Sequence, residues 1–163
     1  MPRSGVPAST GSPAARSFCA NAGSLPTNSV GSLSDSAGMH VTGVGAGPEI
    51  VDSAFLDNDE DGVFVESTSG LAHSVAGPTF TNNVLTGNGL SSITLPASAL
   101  GELDASSIFT GNGLPIGVHG GDVVLDALWQ NLDDDYQVLG DIDIGGPTDP
   151  VVVIEDQAVF LFD

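Results

Sequence analysis

Val84-Leu85-Thr86-Gly87-Asn88-Gly89-Leu90 is echoed 24 residues later by Ile108-Phe109-Thr110-Gly111-Asn112-Gly113-Leu114. In each copy two apolar residues lead into Thr-Gly-Asn-Gly and then Leu. Gly-Asn-Gly readily supplies the positive φ angles of a tight hairpin, so each copy reads as strand, turn, strand. Two copies are too few to specify a solenoid. They read either as similar turns chosen for similar backbone reasons or as a duplicated hairpin that builds related sheet edges.

Outward from the echo, the chain from His40 onward consists of short apolar runs broken by Gly, Asn, Asp and Pro, the texture of strands joined by turns. Strands are expected at 40–44, 49–56, 62–67, 79–85, 92–95, 107–109, 115–119, 136–144, 151–155 and 158–162. Ala97 to Ala105, after Pro96, suits a short helix or turn. Between Asp122 and Leu132 the spacing of Val124, Leu125, Leu128, Trp129 and Leu132 suits a helix, whereas Asp133, Asp134 and Asp135 would stand unfavourably at its negative end. That stretch supports helix and strand equally. The expected fold is mainly β: a compact antiparallel β-sandwich, jelly roll or small barrel with at most one or two short helices.

Residues 1–38 are rich in Ser, Gly, Ala and Pro with almost no apolar periodicity, the composition of a flexible arm that orders on a partner. The acidic β-rich domain then occupies 39–163. Cys19 is the sole cysteine, so no disulfide can form within one chain. The N-terminal stretch lacks the apolar core of a secretory signal, and no segment approaches the roughly 20 apolar residues of a membrane span.

Arg3 and Arg16 are the only cations, while 20 of the 21 acidic residues follow His40, Asp35 being the other. Such one-signed charge must be relieved by salt, bound cations, carboxyl protonation or a basic partner. It excludes nucleic-acid binding and disfavours anionic membranes, both of which need Lys and Arg.

Asp57-Asn58-Asp59-Glu60-Asp61-Gly62 alternates oxygen-bearing side chains and ends in glycine, as does the first half of an EF-hand loop. Thr68 stands where the bidentate Glu of such a loop belongs, and the flanks read as strands. Asp57, Asp59, Asp61 and Glu66 are the candidate calcium ligands, a solvated acidic turn being the alternative. His40, His73 and His119 could join a Ser and an Asp in a hydrolytic triad. No Gly-x-Ser-x-Gly elbow, His-Glu-x-x-His pair or P-loop selects one, and the expectation is no enzyme.

Val151 to Ile154 and Val159, Phe160, Leu161 and Phe162 are apolar on both faces of any strand and need covering on both. They are candidate subunit-interface residues, with burial in the core as the alternative. The sequence therefore points to a non-enzymatic structural protein assembling as a homo-oligomer or on a larger lattice with a basic surface. A virion component such as a capsid decoration, cement or fibre subunit combines these features. A calcium-stabilised extracellular binding or adhesion domain is the alternative reading.

Overall fold

In the computed structural model, which describes residues 37–162, fourteen short strands are β1 (Met39–Val41), β2 (Ile50–Val51), β3 (Ala54–Leu56), β4 (Val63–Val65), β5 (Phe80–Thr81), β6 (Val84–Thr86), β7 (Ile93–Pro96), β8 (Ile116–His119), β9 (Gly121–Val123), β10 (Ala127–Trp129), β11 (Tyr136–Val138), β12 (Ile142–Ile144), β13 (Val152–Ile154) and β14 (Phe160–Phe162). The arm expected over 1–38 lies, but for its last two residues, outside the described residues, as does Cys19. Most strand positions match the apolar runs. The stretch 122–132 resolves as strand, with β9 ending and β10 lying inside it. Ala97–Glu102 forms a 3-10 helix where a short helix was expected.

How the strands pair overturns the expected architecture. Every strand pairing is parallel. Met39 aligns with Val63, 24 residues on, and Tyr136 aligns with Phe160 after another 24. The chain thus winds in coils that stack in register, giving a six-stranded sheet of order β1-β4-β7-β8-β11-β14 and four two-stranded sheets, β2-β5, β3-β6, β9-β12 and β10-β13. This is a parallel β-solenoid, and it is neither an antiparallel sandwich, nor a jelly roll, nor a barrel. The strands lie next to their counterparts one coil away, so no strand folds back on its sequence neighbour as a hairpin would require.

Alternation within each strand selects the core. In β1, Met39 and Val41 face inward and His40 outward. The inward positions of the main sheet stack Val63, Ile93, Ile116 and Tyr136 in one row and Val65, Leu95, Val118 and Val138 in another, all buried. Phe80, Leu85, Leu103 and Phe109 fill the opposite side, with the Phe80 and Phe109 rings stacked 6.0 Å apart. A stacked coil buries the inward half of each short strand against its neighbours above and below, so three-residue strands suffice where an isolated hairpin of that length would not hold.

The echoed motif is a coil corner. Asn88 Nδ2 donates to Asn112 Oδ1 at 2.8 Å, and Asn58 Nδ2 donates to Asn88 Oδ1 at 2.7 Å. The Asn88 and Asn58 backbone N–H groups donate to the same two oxygens. Three asparagines thereby form a ladder running along the stack, with Asn112 Nδ2 closing it on the Leu85 carbonyl. The glycine after each Asn permits the close approach: a Cβ on Gly89 would overlap the Asp59 carbonyl oxygen, and one on Gly113 would overlap that of Gly89. A parallel polar row accompanies it. Asn83 is fully buried, accepts the Ser53 N–H, donates to the Ile50 carbonyl and has its own N–H bound by Ser107 Oγ.

One coil is longer. Val41 aligns with Val65 at a stagger of 24 residues, but Ile50 aligns with Phe80 at a stagger of 30. The six surplus residues fall between Val65 and Phe80, where the chain leaves the strand path as an outer loop.

Candidate functional site

The acidic stretch singled out as a calcium loop is the first rung of this ladder. Asn58 occupies the position of Asn88, and Asp57 and Asp59 take the places of the two flanking glycines, Asp57 adopting φ 54° where Gly87 has 75°. Asp57 and Asp59 are exposed. Asp61 is buried and its Oδ1 accepts the Ser91 N–H at 2.9 Å. Glu66 lies beyond β4, where it accepts from Thr42 Oγ1 at 2.9 Å and approaches His40 Nε2 at 3.3 Å. The corner thus gives Asp61 and Glu66 separate partners on different strands. Among the described residues no three His, Cys, Asp or Glu side chains gather into a metal-holding group.

Asp61 illustrates a use of acidity that the sequence conceals. Asp133 Oδ1 accepts the Phe109 N–H, Asp126 Oδ1 accepts the Val151 N–H, and Glu155 Oε2 accepts the Asn131 N–H, each across 24 or 25 residues. Carboxylates therefore cap backbone donors of the adjacent coil, where corners leave the strand ladder unmade. Burial outweighs the Ser91 and Thr94 hydrogen bonds at Asp61 and lifts its pKa above 3.8. A raised acid pKa means the folded state favours the protonated carboxyl, so this group's contribution to stability falls as pH rises from 3.8 through the folded value. Asp61→Asn keeps the acceptor and removes the buried charge. Its melting temperature should exceed that of the parent at neutral pH in thermal melts, with the gain vanishing below pH 3.8; a lower neutral melting temperature would contradict this.

The three proposed triad histidines do not meet. His40 and His119 sit edge-on to opposite sides of Phe64, with centroids 5.3 and 5.4 Å away, and His73 lies on the outer loop against Glu102.

The strongest surface feature is the closing coil. Strands β12, β13 and β14 are each paired on one side only. Exposed along that coil are Ile144, Val151, Val153, Ile154, Val159, Leu161 and Phe162, the last at 74%. Phe160 is partly buried, stacking 4.7 Å from Tyr136 and packing 5.5 Å from Trp129. Of the four expected interface residues, Val159, Leu161 and Phe162 are thus presented outward and Phe160 anchors the strand to the core. The opening coil differs, since Met39, Val41 and Ile50 are all buried. The charged residues around the closing coil are all acidic: Asp141, Asp143, Asp149, Glu155 and Asp156. Unpaired strand edges with apolar side chains and a one-signed rim form a template for strand addition.

No helix among the described residues is long and apolar enough to cross a membrane. No protein-family model, curated protein or solved structure matches the chain.

Proposed function

We propose that the chain is a non-enzymatic structural module that works by assembly, docking through its closing coil onto a strand-bearing protein with a basic rim. The observation that carries this reading is the continuous apolar surface on strands paired on one side only, running from Val151 to Phe162. Charge selects the partner. A second copy would bring Asp143, Asp149, Glu155 and Asp156 against their own counterparts, whereas Lys or Arg on the partner would neutralise them. The rest of the solenoid, rigid and acidic along its sides, holds docked units apart. A particle surface, such as that of a virion decorated by such subunits, is the setting that uses these properties together.

The test uses two synthetic peptides copying residues 150–162, one native and one with its acidic residues replaced by lysine. The lysine peptide should bind the whole chain in fluorescence anisotropy, weaken as salt rises, and lose at least about tenfold in affinity on Phe162→Asp. Equal binding of both peptides, or binding indifferent to Phe162→Asp, would overturn the assignment. A stable homodimer in light scattering at low salt would replace the basic partner by a second copy.

A further inference from the structure

The six-residue surplus between Val65 and Phe80 does more than lengthen a coil. The loop stands away from the solenoid wall and closes one side of a cleft of about 480 Å³, whose floor is the 3-10 helix and whose far side is the segment from Val123 to Leu128. The volume lies in the range of small-molecule sites. Leu71, Val75, Ala99, Val124 and Leu128 make the lining largely apolar. Val75 is fully exposed, and Val124, Leu125 and Leu128 are each between 42% and 50% exposed, so apolar surface is concentrated around the opening.

Most of the polar groups on the lining are already engaged. Ser74 Oγ accepts the Ala76 N–H, Asp126 Oδ1 accepts the Val151 N–H, and Gln130 Oε1 accepts the Ala105 N–H. Glu102 is buried within the wall, its Oε1 2.6 Å from His73 Nδ1 and its Oε2 3.2 Å from Thr79 Oγ1. A carboxylate at that distance holds the proton on Nδ1 and fixes the ring plane. His73 is half-exposed, and with Nδ1 committed, Nε2 is the acceptor it offers to the cleft.

We infer that this cleft is a binding site for a small, neutral, largely apolar molecule carrying a hydroxyl group, which donates to His73 Nε2 while its body lies against the loop and the Val124–Leu128 wall. The net charge of −19 repels anionic ligands, and Glu102 and Asp126 on the lining reinforce that exclusion. A ligand without a donor would fill the apolar volume but leave Nε2 unpaired. This site is separate from the closing coil and does not depend on the docking reading.

The probes are 2-naphthol and 2-methylnaphthalene, alike in shape and differing in the hydroxyl, with binding followed by their fluorescence in the full chain. 2-Naphthol should bind saturably and about five- to tenfold more tightly than 2-methylnaphthalene. His73→Phe should abolish that preference while 2-methylnaphthalene still binds, a split that simple unfolding would not produce. Ala99→Phe, which fills the floor, and Val75→Glu, at a fully exposed position that folding does not use, should each weaken both probes at least about tenfold. Phe162→Asp, at the closing coil, should leave both affinities unchanged. Non-saturable uptake, equal affinity for the two probes, or loss on Phe162→Asp but not on Val75→Glu would overturn the inference.

Discussion

Asn88→Ala should lower the stability of the solenoid by about 3 kcal/mol and its melting temperature by about 10 °C, several times the effect of an ordinary surface substitution. Asn88 is the middle rung, buried to 2% exposure, and both ends of its amide are in use. Its Oδ1 receives two N–H groups of Asn58, and its Nδ2 reaches Asn112 Oδ1 and the Phe55 carbonyl. Alanine would leave the Asn58 donors without their acceptor at a corner where no strand bond can replace it, and each buried orphan costs about 1–3 kcal/mol. Asn88→Asp should be worse at neutral pH. It keeps the acceptor for Asn58 but turns a carboxylate oxygen toward the Asn112 oxygen and the Phe55 carbonyl, where a donor stood. Asn112→Ala, at the partly exposed end of the row, should cost less than Asn88→Ala, and the double variant should lose less than the sum because the two share a bond. The measurement is a thermal melt by circular dichroism. A change below about 0.5 kcal/mol for Asn88→Ala would show that the ladder does not hold the coils together.

The same residues explain how far the fold was legible. The 24-residue echo was visible, and it is the coil length. It suggested a hairpin because Gly-Asn-Gly meets the local requirements of a tight turn, and local requirements are silent about whether the next strand returns beside the last or climbs to the next coil. A third copy would have raised the solenoid reading, and one exists, but Asn58 is flanked by Asp57 and Asp59 in place of glycines, and the six-residue loop sets it 30 residues from Asn88. Comparison at a fixed spacing therefore misses it, and the aspartates draw the eye to calcium. Strand positions were legible because apolar alternation is a property of each segment. Pairing direction was not, since the same alternation serves parallel and antiparallel neighbours. The apolar terminus was legible as needing cover on both faces, and the structure places Leu161 and Phe162 at an edge rather than in the core. The cleft could not be read at all, because His73 and Glu102 are brought together by an insertion whose path only the stack defines.

Between pH 10 and the folded-state pKa of Tyr136, stability should fall by about 1.4 kcal/mol per pH unit. Tyr136 is 1% exposed, donates its hydroxyl to the Gln130 carbonyl at 2.6 Å and lies flat against Phe160 of the closing coil. Burial, and after it the negative charge of Glu155, pushes its phenol far above the ordinary 10.0. The unfolded chain releases this proton as pH passes 10 while the folded chain retains it, so the contribution is complete below pH 10 and drains away above it. The sequence makes the experiment clean: Tyr136 is the only tyrosine and there is no lysine. Phenolate absorbance should therefore appear together with the loss of the near-ultraviolet dichroism of Trp129, in one transition rather than as an independent titration. Tyr136→Phe should flatten the alkaline slope at a cost near neutral pH of about 1 kcal/mol for the lost bond to Gln130. Phenolate forming in the still-folded chain, or an unchanged slope in the Phe variant, would mean that the Tyr136–Phe160 stack opens readily. The closing coil would then be too loosely held to serve as a rigid docking edge.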